Sequence, residues 1–333
     1  MSDPLLSVEH LTTTFAIGGS IFRPPLQIHA VNDVSFTLRA GETLGVVGES
    51  GSGKSTLGRS ILRLIEPAAG RIVWQGRSLL DLTGEEMRRA RRDLQIIFQD
   101  PIASLDPRMT VGDIVAEPLT VFEPGLATAE RRARVSEMMD AVGLLPEMAG
   151  RYPHEFSGGQ AQRIGIARAL VSRPKLVICD EPVSALDVSI QAQIIMLLRR
   201  LREEFDLTLI FISHDLAVVR LISDRILVLY LGKVVEIGPT ALLFEHPAHP
   251  YTKALISAAP IPDPDAARSR GRVRLAGEPP SSIDPPPGCV FSSRCWKAAA
   301  RCREAMPELR EIAAGRSAAC YFPETDAPLN REG

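Results

Sequence analysis

From Leu5 to about Gly238, short apolar runs alternate with segments of helical period. That is the pattern of an α/β fold. Three of the runs are nearly continuous in apolar residues: "ETLGVVG" (Glu42–Gly48), "KLVICDEP" (Lys175–Pro182) and "LTLIFISHD" (Leu207–Asp215). They predict buried parallel strands. From about Pro101 to Arg151 the pattern changes. "TAERRARVSEMMDAVGLL" has helical periodicity and no strong strand interrupts it, so a helical subdomain is expected over about 101–165. Prolines then crowd the chain from Pro260 to Gly288, in "PIPDPD" and "GEPPSSIDPPPG", which predicts an extended connector. A short tail with cysteines at both ends follows, Cys289 to Cys320. The expected division is a main domain over 1–259 and a connector plus extension over 260–333. No internal repeat is visible.

The 333 residues, 45% hydrophobic and 23% charged, can bury a core of full size. The net charge of −2 gives no global basic field, which argues against a nucleic-acid partner. The basic run "RRARRD" (Arg88–Asp93) reads as a solvated helix face. The most apolar stretch, Leu207–Leu231, is broken by His214, Asp215, Arg220, Asp224 and Arg225. It never reaches the roughly 20 uncharged residues that span a bilayer. "MSDPLLSVEH" lacks the basic start and apolar run of a signal peptide. The chain is therefore expected to be soluble and to reach a membrane only through partners. Five cysteines in a chain of this size argue against a disulfide framework.

The chemistry starts at "GVVGESGSGKST". It contains G-x-x-x-x-G-K-[ST] as Gly48, Gly53, Lys54 and Ser55, after an apolar run and before the helical "TLGRSILRLI". Strand, loop and helix in that order are the context the motif requires. Glycines let backbone N–H groups curl around phosphate oxygens, and the helix start adds unpaired N–H groups and its positive dipole end. The whole run Gly48, Glu49, Ser50, Gly51, Ser52, Gly53, Lys54, Ser55 and Thr56 is expected to hold a triphosphate. Lys54 should reach the β- and γ-phosphates, and the Ser55 hydroxyl should ligate Mg²⁺. The competing reading, a chance glycine-rich turn before a helix, is disfavoured by motif, strand and helix occurring together.

Asp180 and Glu181 end an apolar strand, where charges are rare unless they serve a cation or chemistry. Asp180 is expected to hold Mg²⁺. Glu181 is expected to activate water as a general base. The plain alternative is a strand-end charge pair. Cys179 beside them reads as a small core hydrophobe. Gln99, in "IIFQDP", offers an amide to Mg²⁺ and the attacking water, although a lone Gln is usually a surface residue. His214, in "FISHDL", offers a polar ring after another strand, although a lone His there is usually structural. Strand ends converging on one phosphate would favour the functional readings.

"GESGSGKST", "FQD", "FSGGQAQRIGIARAL", "LVICDEP", "SALD" and "SHD" occur in that order. From about Leu5 to Pro260 the chain thus resembles the ATP-binding subunits of ABC transporters. The resemblance implies a P-loop NTPase with a RecA-like parallel core, an N-terminal antiparallel β subdomain and a helical subdomain. It also implies that "SGGQ" serves not this subunit's nucleotide but the γ-phosphate of ATP held by a second subunit, head to tail. Ser157, Gly158, Gly159 and Gln160 would contact that phosphate, and Asp187 of "SALD" would lie at the dimer interface. A helix start capped by Ser157 is the plain reading of the same residues, and the two are compatible. Phe156 stands where the family usually has leucine, and Ala161 where it is commonly polar or basic. Phe15 matches the aromatic that stacks on adenine, although an aromatic near a strand end is more often core. The activity implied is ATP hydrolysis. ATP closes two subunits, Glu181 and His214 assist attack by water, and hydrolysis removes the bridging charge so that the pair opens.

"HPAHPYTKALISAAP" (His246–Pro260) and the insert "IGGSIFRPPLQIHAVNDVSF" resemble the oligopeptide, dipeptide and nickel importer subfamily. His246, His249 and Tyr251 themselves read as packing and capping residues. The implied partners are a second ATPase subunit (a paralogue, otherwise an identical copy), two integral membrane permeases and, indirectly, a solute-binding protein. The implied location is the cytoplasmic face of the inner membrane, and the implied cargo is peptides. Nickel or another non-peptide solute is the alternative, and a non-transport ABC ATPase the more distant one. The tail gives C-x5-C-x6-C-x17-C as Cys289, Cys295, Cys302 and Cys320. Zinc sites usually open with closer pairs, whereas iron–sulfur clusters accept varied spacing. The tails of peptide-importer ATPases are similar and can carry a [4Fe–4S] cluster. The cluster is expected ahead of zinc, and zinc ahead of free thiols. With few apolar residues nearby, a metal is expected to supply much of the tail's folding free energy.

Overall fold

The computed structural model describes residues 3–18, 25–259, 273, 275, 277–283 and 285–324. The "PIPDPD" part of the expected connector and residues 19–24 of the N-terminal insert lie outside the described residues. In chain order the elements begin with β1 (Leu6–Ile17), β2 (Leu26–Leu38), β3 (Thr43–Val47), α1 (Lys54–Ile61), β4 (Ala69–Trp74) and β5 (Arg77–Ser78). Then come α2 (Gly84–Ala90), β6 (Leu94–Ile97), α3 (Val111–Phe122), α4 (Thr128–Ala141), α5 (Gly158–Leu170) and β7 (Leu176–Asp180). The chain continues through α6 (Val188–Phe205), β8 (Thr208–Ile212), α7 (Leu216–Ile222), β9 (Arg225–Tyr230), β10 (Lys233–Pro239), α8 (Thr240–Glu245) and α9 (Pro250–Ala258). It ends with α10 (Ala300–Glu304), β11 (Arg310–Ala313) and β12 (Arg316–Ala318). The three strands expected from apolar runs are present as β3, β7 and β8.

The elements fall into two compact units. The first holds Arg39–Thr43 and Ser78–Ile212. Its strands β6, β7 and β8 pair in parallel, Leu94 with Leu176 and Leu176 with Thr208. Every residue of β7 and β8 is buried, which explains the near-continuous apolar runs. Each buried Val, Leu or Ile contributes about 1.5–3 kcal/mol. Cys179 lies fully inside, where burial pushes its thiol up to about 12; it is a packing residue. No strand intervenes between β6 and β7. That span holds α3, α4 and α5, with α5 packed on both of the others. Thr110 caps α3 by accepting from the Asp113 N–H, and Thr83 with Glu86 makes a reciprocal cap at α2.

The second unit holds Leu5–Leu38, Leu44–Arg77 and Ser213–Gly333. Here β1 pairs antiparallel with β2 and with β4. The alternating burial of β1 gives the sheet one buried face and one wet face. Separately, β3 runs parallel to β9, β9 pairs antiparallel with β10, and β10 with β12. The tail is therefore bound by backbone pairing as well as by side chains. Arg316 donates to the Glu236 carboxylate at 2.8 Å, with side-chain exposures of 5% and 0%. The same carboxylate accepts the Ala248 and His249 N–H groups at 3.0 and 2.8 Å, and Arg316 also donates to the His246 carbonyl. One buried carboxylate thus gathers "HPAHP" and the tail. His249 caps α9 through Nδ1, which accepts the Tyr251 N–H at 3.0 Å. Burial lowers the pKa of His249 to about 3, so the ring is neutral. The packing and capping reading of His249 holds. The tail's Val290 and Phe291 are buried, so protein contacts add a source of folding free energy to the metal expected from sequence.

Candidate functional site

Between β3 and α1 the chain turns through Gly48–Gly53. Gly53 sits at φ +100°, where a Cβ would collide with the Ala30 carbonyl oxygen. A Cβ at Gly48 would collide with the Leu229 carbonyl oxygen. Both glycines are demanded by close backbone approach. Lys54 is 5% exposed, and its Nζ donates to the carbonyls of Gly48 and Glu49 at 2.9 Å each. The ammonium thus lies folded into its own loop. The first turn of α1 contains no acidic residue, so nothing opposes an anion at that dipole end. Ser52 Oγ is buried without a hydrogen-bond partner. A buried hydroxyl without a partner costs about 1–3 kcal/mol, and a phosphate oxygen would satisfy it. These features fit a triphosphate. Phe15 on β1 is 39% exposed, so it is not a core aromatic. His214 is exposed and lies one residue before Asp215, which caps α7 by accepting the Ala217 N–H at 2.8 Å.

In the other unit, Asp180 ends β7 with 1% exposure. The next residue, Glu181, is held at φ +48°, a left-handed conformation that costs a side-chain-bearing residue about 1–2 kcal/mol. The turn is over-determined. The Glu181 N–H donates to the Ile212 carbonyl at 3.0 Å, and the Glu181 carbonyl accepts the Ser184 hydroxyl at 3.1 Å. The side chain is thereby aimed off the strand end, and Gln99 Nε2 donates to its Oε2 at 3.3 Å. The structure brings Gln99 and Glu181 together, 82 residues apart. Strain of this kind marks a place where position matters more than local stability.

Ser157 caps α5 reciprocally: its N–H donates to Gln160 Oε1 at 3.0 Å and its Oγ accepts the Gln160 N–H at 3.4 Å. Ser157 is exposed. A Cβ on Gly159 would lie 2.7 Å from Ile190 Cγ2, so the glycine permits α5 to approach α6 closely. Asp187 precedes α6 and is exposed, without a side-chain cap bond. Val188 beside it is 81% exposed. The start of α5 therefore presents N–H groups and a hydroxyl, and the start of α6 a carboxylate and an apolar side chain.

Cys289, Cys295, Cys302 and Cys320 line one cavity with His249, Phe291 and Phe322, and all are free thiols. Cys320 Sγ accepts the Phe322 N–H at 3.4 Å. Burial raises the thiol pKa of Cys289 to about 11, and raises those of Cys295 and Cys320. As placed, no three His, Cys, Asp or Glu side chains among the described residues form a metal-holding group. No described helix is long and apolar enough to cross a membrane.

The ABC transporter family profile matches residues 31–184, and the oligopeptide/dipeptide transporter C-terminal region matches 235–302. The chain is 57% identical to the oligopeptide transport ATP-binding protein OppF of Salmonella typhimurium, covering 92% of each chain. It is 55% identical to OppF of Haemophilus influenzae, covering 91% of this chain and 92% of that one. The chain belongs to the ABC transporter ATP-binding family. Among solved structures, the cassette resembles MJ0796 in a dimeric post-hydrolysis state bound to ADP and Pi, at TM-score 0.63 and 32% identity. That match covers 71% of this chain and 98% of that one. It also resembles cbiO1 from Clostridium perfringens, at TM-score 0.63 and 28% identity over 73% and 91% of the two chains. The cassette has two residues at its phosphate loop that sequence reading missed as such, Arg294 and Tyr251. They contact Glu49 from 245 and 202 residues away, and no local spacing could have flagged them.

Proposed function

We propose that this cassette hydrolyses ATP to drive import of oligopeptides through a pair of membrane permeases. The observation that carries the reading is the match of residues 235–302 to the oligopeptide/dipeptide transporter C-terminal region, on a chain over half identical to OppF proteins. ATP would lie against Gly48–Thr56, with Phe15 on adenine. Ser55, Gln99 and Asp180 would hold Mg²⁺, which would neutralise charge developing on the phosphates. Glu181 would orient and deprotonate the attacking water, helped by His214. Ser157, Gly158, Gly159, Gln160 and Asp187 would face the nucleotide of a second cassette, a paralogue or a second copy. The cassette would sit peripherally on the cytoplasmic face of the membrane. The domain division is 1–259 for the ATPase, with helices over about 101–165, and 260–333 for the connector and extension.

Supporting a permease contact, α3 and α4 flank a groove of about 920 Å³ lined by Met109, Ala116, Arg131, Arg132, Val135 and Met139. Its lining mixes apolar side chains with charges of both signs, Asp113 and Glu117 beside Arg131 and Arg132, and a trough of that size suits an amphipathic helix. The cysteine cavity would take a [4Fe–4S] cluster, with zinc as the alternative. Four thiols around one cavity and the Phe322 N–H donated to Cys320 Sγ favour thiolate ligation. Anaerobic purification with iron, sulfide and zinc analysis separates these. Reconstitution of the cassette with its permeases in vesicles tests the whole. Peptide uptake that requires ATP is expected, and ATP-driven uptake of nickel but no peptide would overturn the assignment of cargo.

A further inference from the structure

Glu49 is the second residue of the phosphate loop, and it carries a negative charge where a triphosphate must bind. Its carboxylate is held by Arg294 Nη1 at 2.9 and 3.1 Å. The same nitrogen lies 3.3 Å from the Tyr230 hydroxyl, and the Arg294 side chain is only 8% exposed. The backbone N–H of Glu49 donates to the Tyr251 hydroxyl at 2.8 Å, and its carbonyl accepts from Lys54. Tyr230, Tyr251 and Phe291 pack ring against ring at 4.5–5.4 Å between centroids, so the groups that grip Glu49 sit in a rigid aromatic cluster. Of this cluster, Phe291 and Arg294 come from the extension over 260–333, and Tyr251 from α9 at the end of the ATPase domain. We propose that Arg294 and Tyr251 are positioning residues of the ATP site: they clamp Glu49, set the loop that carries Lys54 and neutralise the loop's own carboxylate, which would repel the phosphates. The C-terminal extension is then a working part of the nucleotide pocket. This rests on ATP binding at Gly48–Thr56.

The physical reason is electrostatic. A fixed carboxylate near a polyanion raises the energy of the bound state, and a paired arginine in a poorly hydrated place cancels that field. The test uses the full-length protein in its assembled transporter, with MgATP titrated in steady-state hydrolysis. Arg294→Met should raise KM for MgATP about tenfold, the factor one hydrogen bond to a charged group typically carries, with a smaller change in kcat. Arg294→Lys should recover part of the loss. Adding Glu49→Gln to Arg294→Met should lower KM again, because the uncompensated charge is gone. A purely structural role would lower the melting temperature but leave KM of the folded enzyme alone, and Glu49→Gln would not rescue it. If Arg294→Met does not fold, Tyr251→Phe reads the same clamp through the Glu49 N–H and should raise KM. Unchanged KM in the folded variants, or equal KM with and without Glu49→Gln, overturns the proposal. Wild-type protein that neither binds nor hydrolyses ATP would instead remove the reading of the site beneath it.

Discussion

Glu181 allows strain and chemistry to be separated in one residue. Its left-handed φ of +48° costs about 1–2 kcal/mol for a residue with a Cβ. Glycine at the same place removes that cost while adding about 0.5–1 kcal/mol of chain entropy to the unfolded state. The difference predicts that Glu181→Gly is at least as stable as the parent, by 0 to about 1.5 kcal/mol. The Glu181 N–H bond to Ile212 and the carbonyl bond to Ser184 survive the change. Glu181→Gln, by contrast, keeps the shape, the strain and a partner for Gln99, and removes only the basic oxygen. Loss of a general base lowers kcat by about 10²–10⁴-fold, which is about 2.7–5.4 kcal/mol of barrier at 1.36 kcal/mol per decade. Both variants should be inactive, and both should bind MgATP. The assay pairs thermal unfolding with steady-state phosphate release. A Glu181→Gly protein more than about 1 kcal/mol less stable than the parent refutes the strain argument. A Glu181→Gln protein with the parent's rate refutes the base assignment.

Three further outcomes follow from particular contacts. Arg316→Met leaves Glu236 charged at 0% exposure and should cost about 3–5 kcal/mol in chemical denaturation; a loss under 1 kcal/mol would place the carboxylate in a wetter site than described. Gly159→Ala puts a methyl against Ile190 and should lower stability by about 1–3 kcal/mol, with Ile190→Ala in the same chain recovering most of it; no recovery would mean that the two helices do not meet there. Ala116→Arg fills the groove beside α3 and should abolish solute uptake by the assembled transporter while the purified cassette still binds ATP, and normal uptake would remove the groove as the permease contact.

How far the sequence could be read depends on how local the cause was. β7 and β8 were visible because a strand buried on both faces must be apolar at every position. The phosphate loop was visible because the backbone crowding that excludes a Cβ at Gly48 and Gly53 leaves glycine as the only choice. Ser157 and Gln160 were visible because a helix cap joins residues three apart. What was hidden joins residues far apart. Arg294 meets Glu49 across 245 positions, and Arg316 meets Glu236 across 80. A charge announces that it needs a partner but not which one. The left-handed turn at Glu181 was hidden for another reason. Its conformation is imposed by bonds to Ile212 and Ser184 against the residue's own preference. The tail reads as poorly apolar because part of its hold is backbone pairing of β12 with β10, which leaves no trace in composition.

In the proposed assembly, each nucleotide is enclosed between Lys54 of one cassette and Ser157 of another. Vanadate trapped with MgADP occupies the γ-phosphate position, and ultraviolet light then cleaves backbone next to it. In the assembled transporter, cuts are expected at both the Gly48–Ser55 loop and Ser157, and the cut at Ser157 should vanish when the cassette is trapped as a monomer. A loop cut without any cut at Ser157 in the assembled, trapped state would contradict that arrangement.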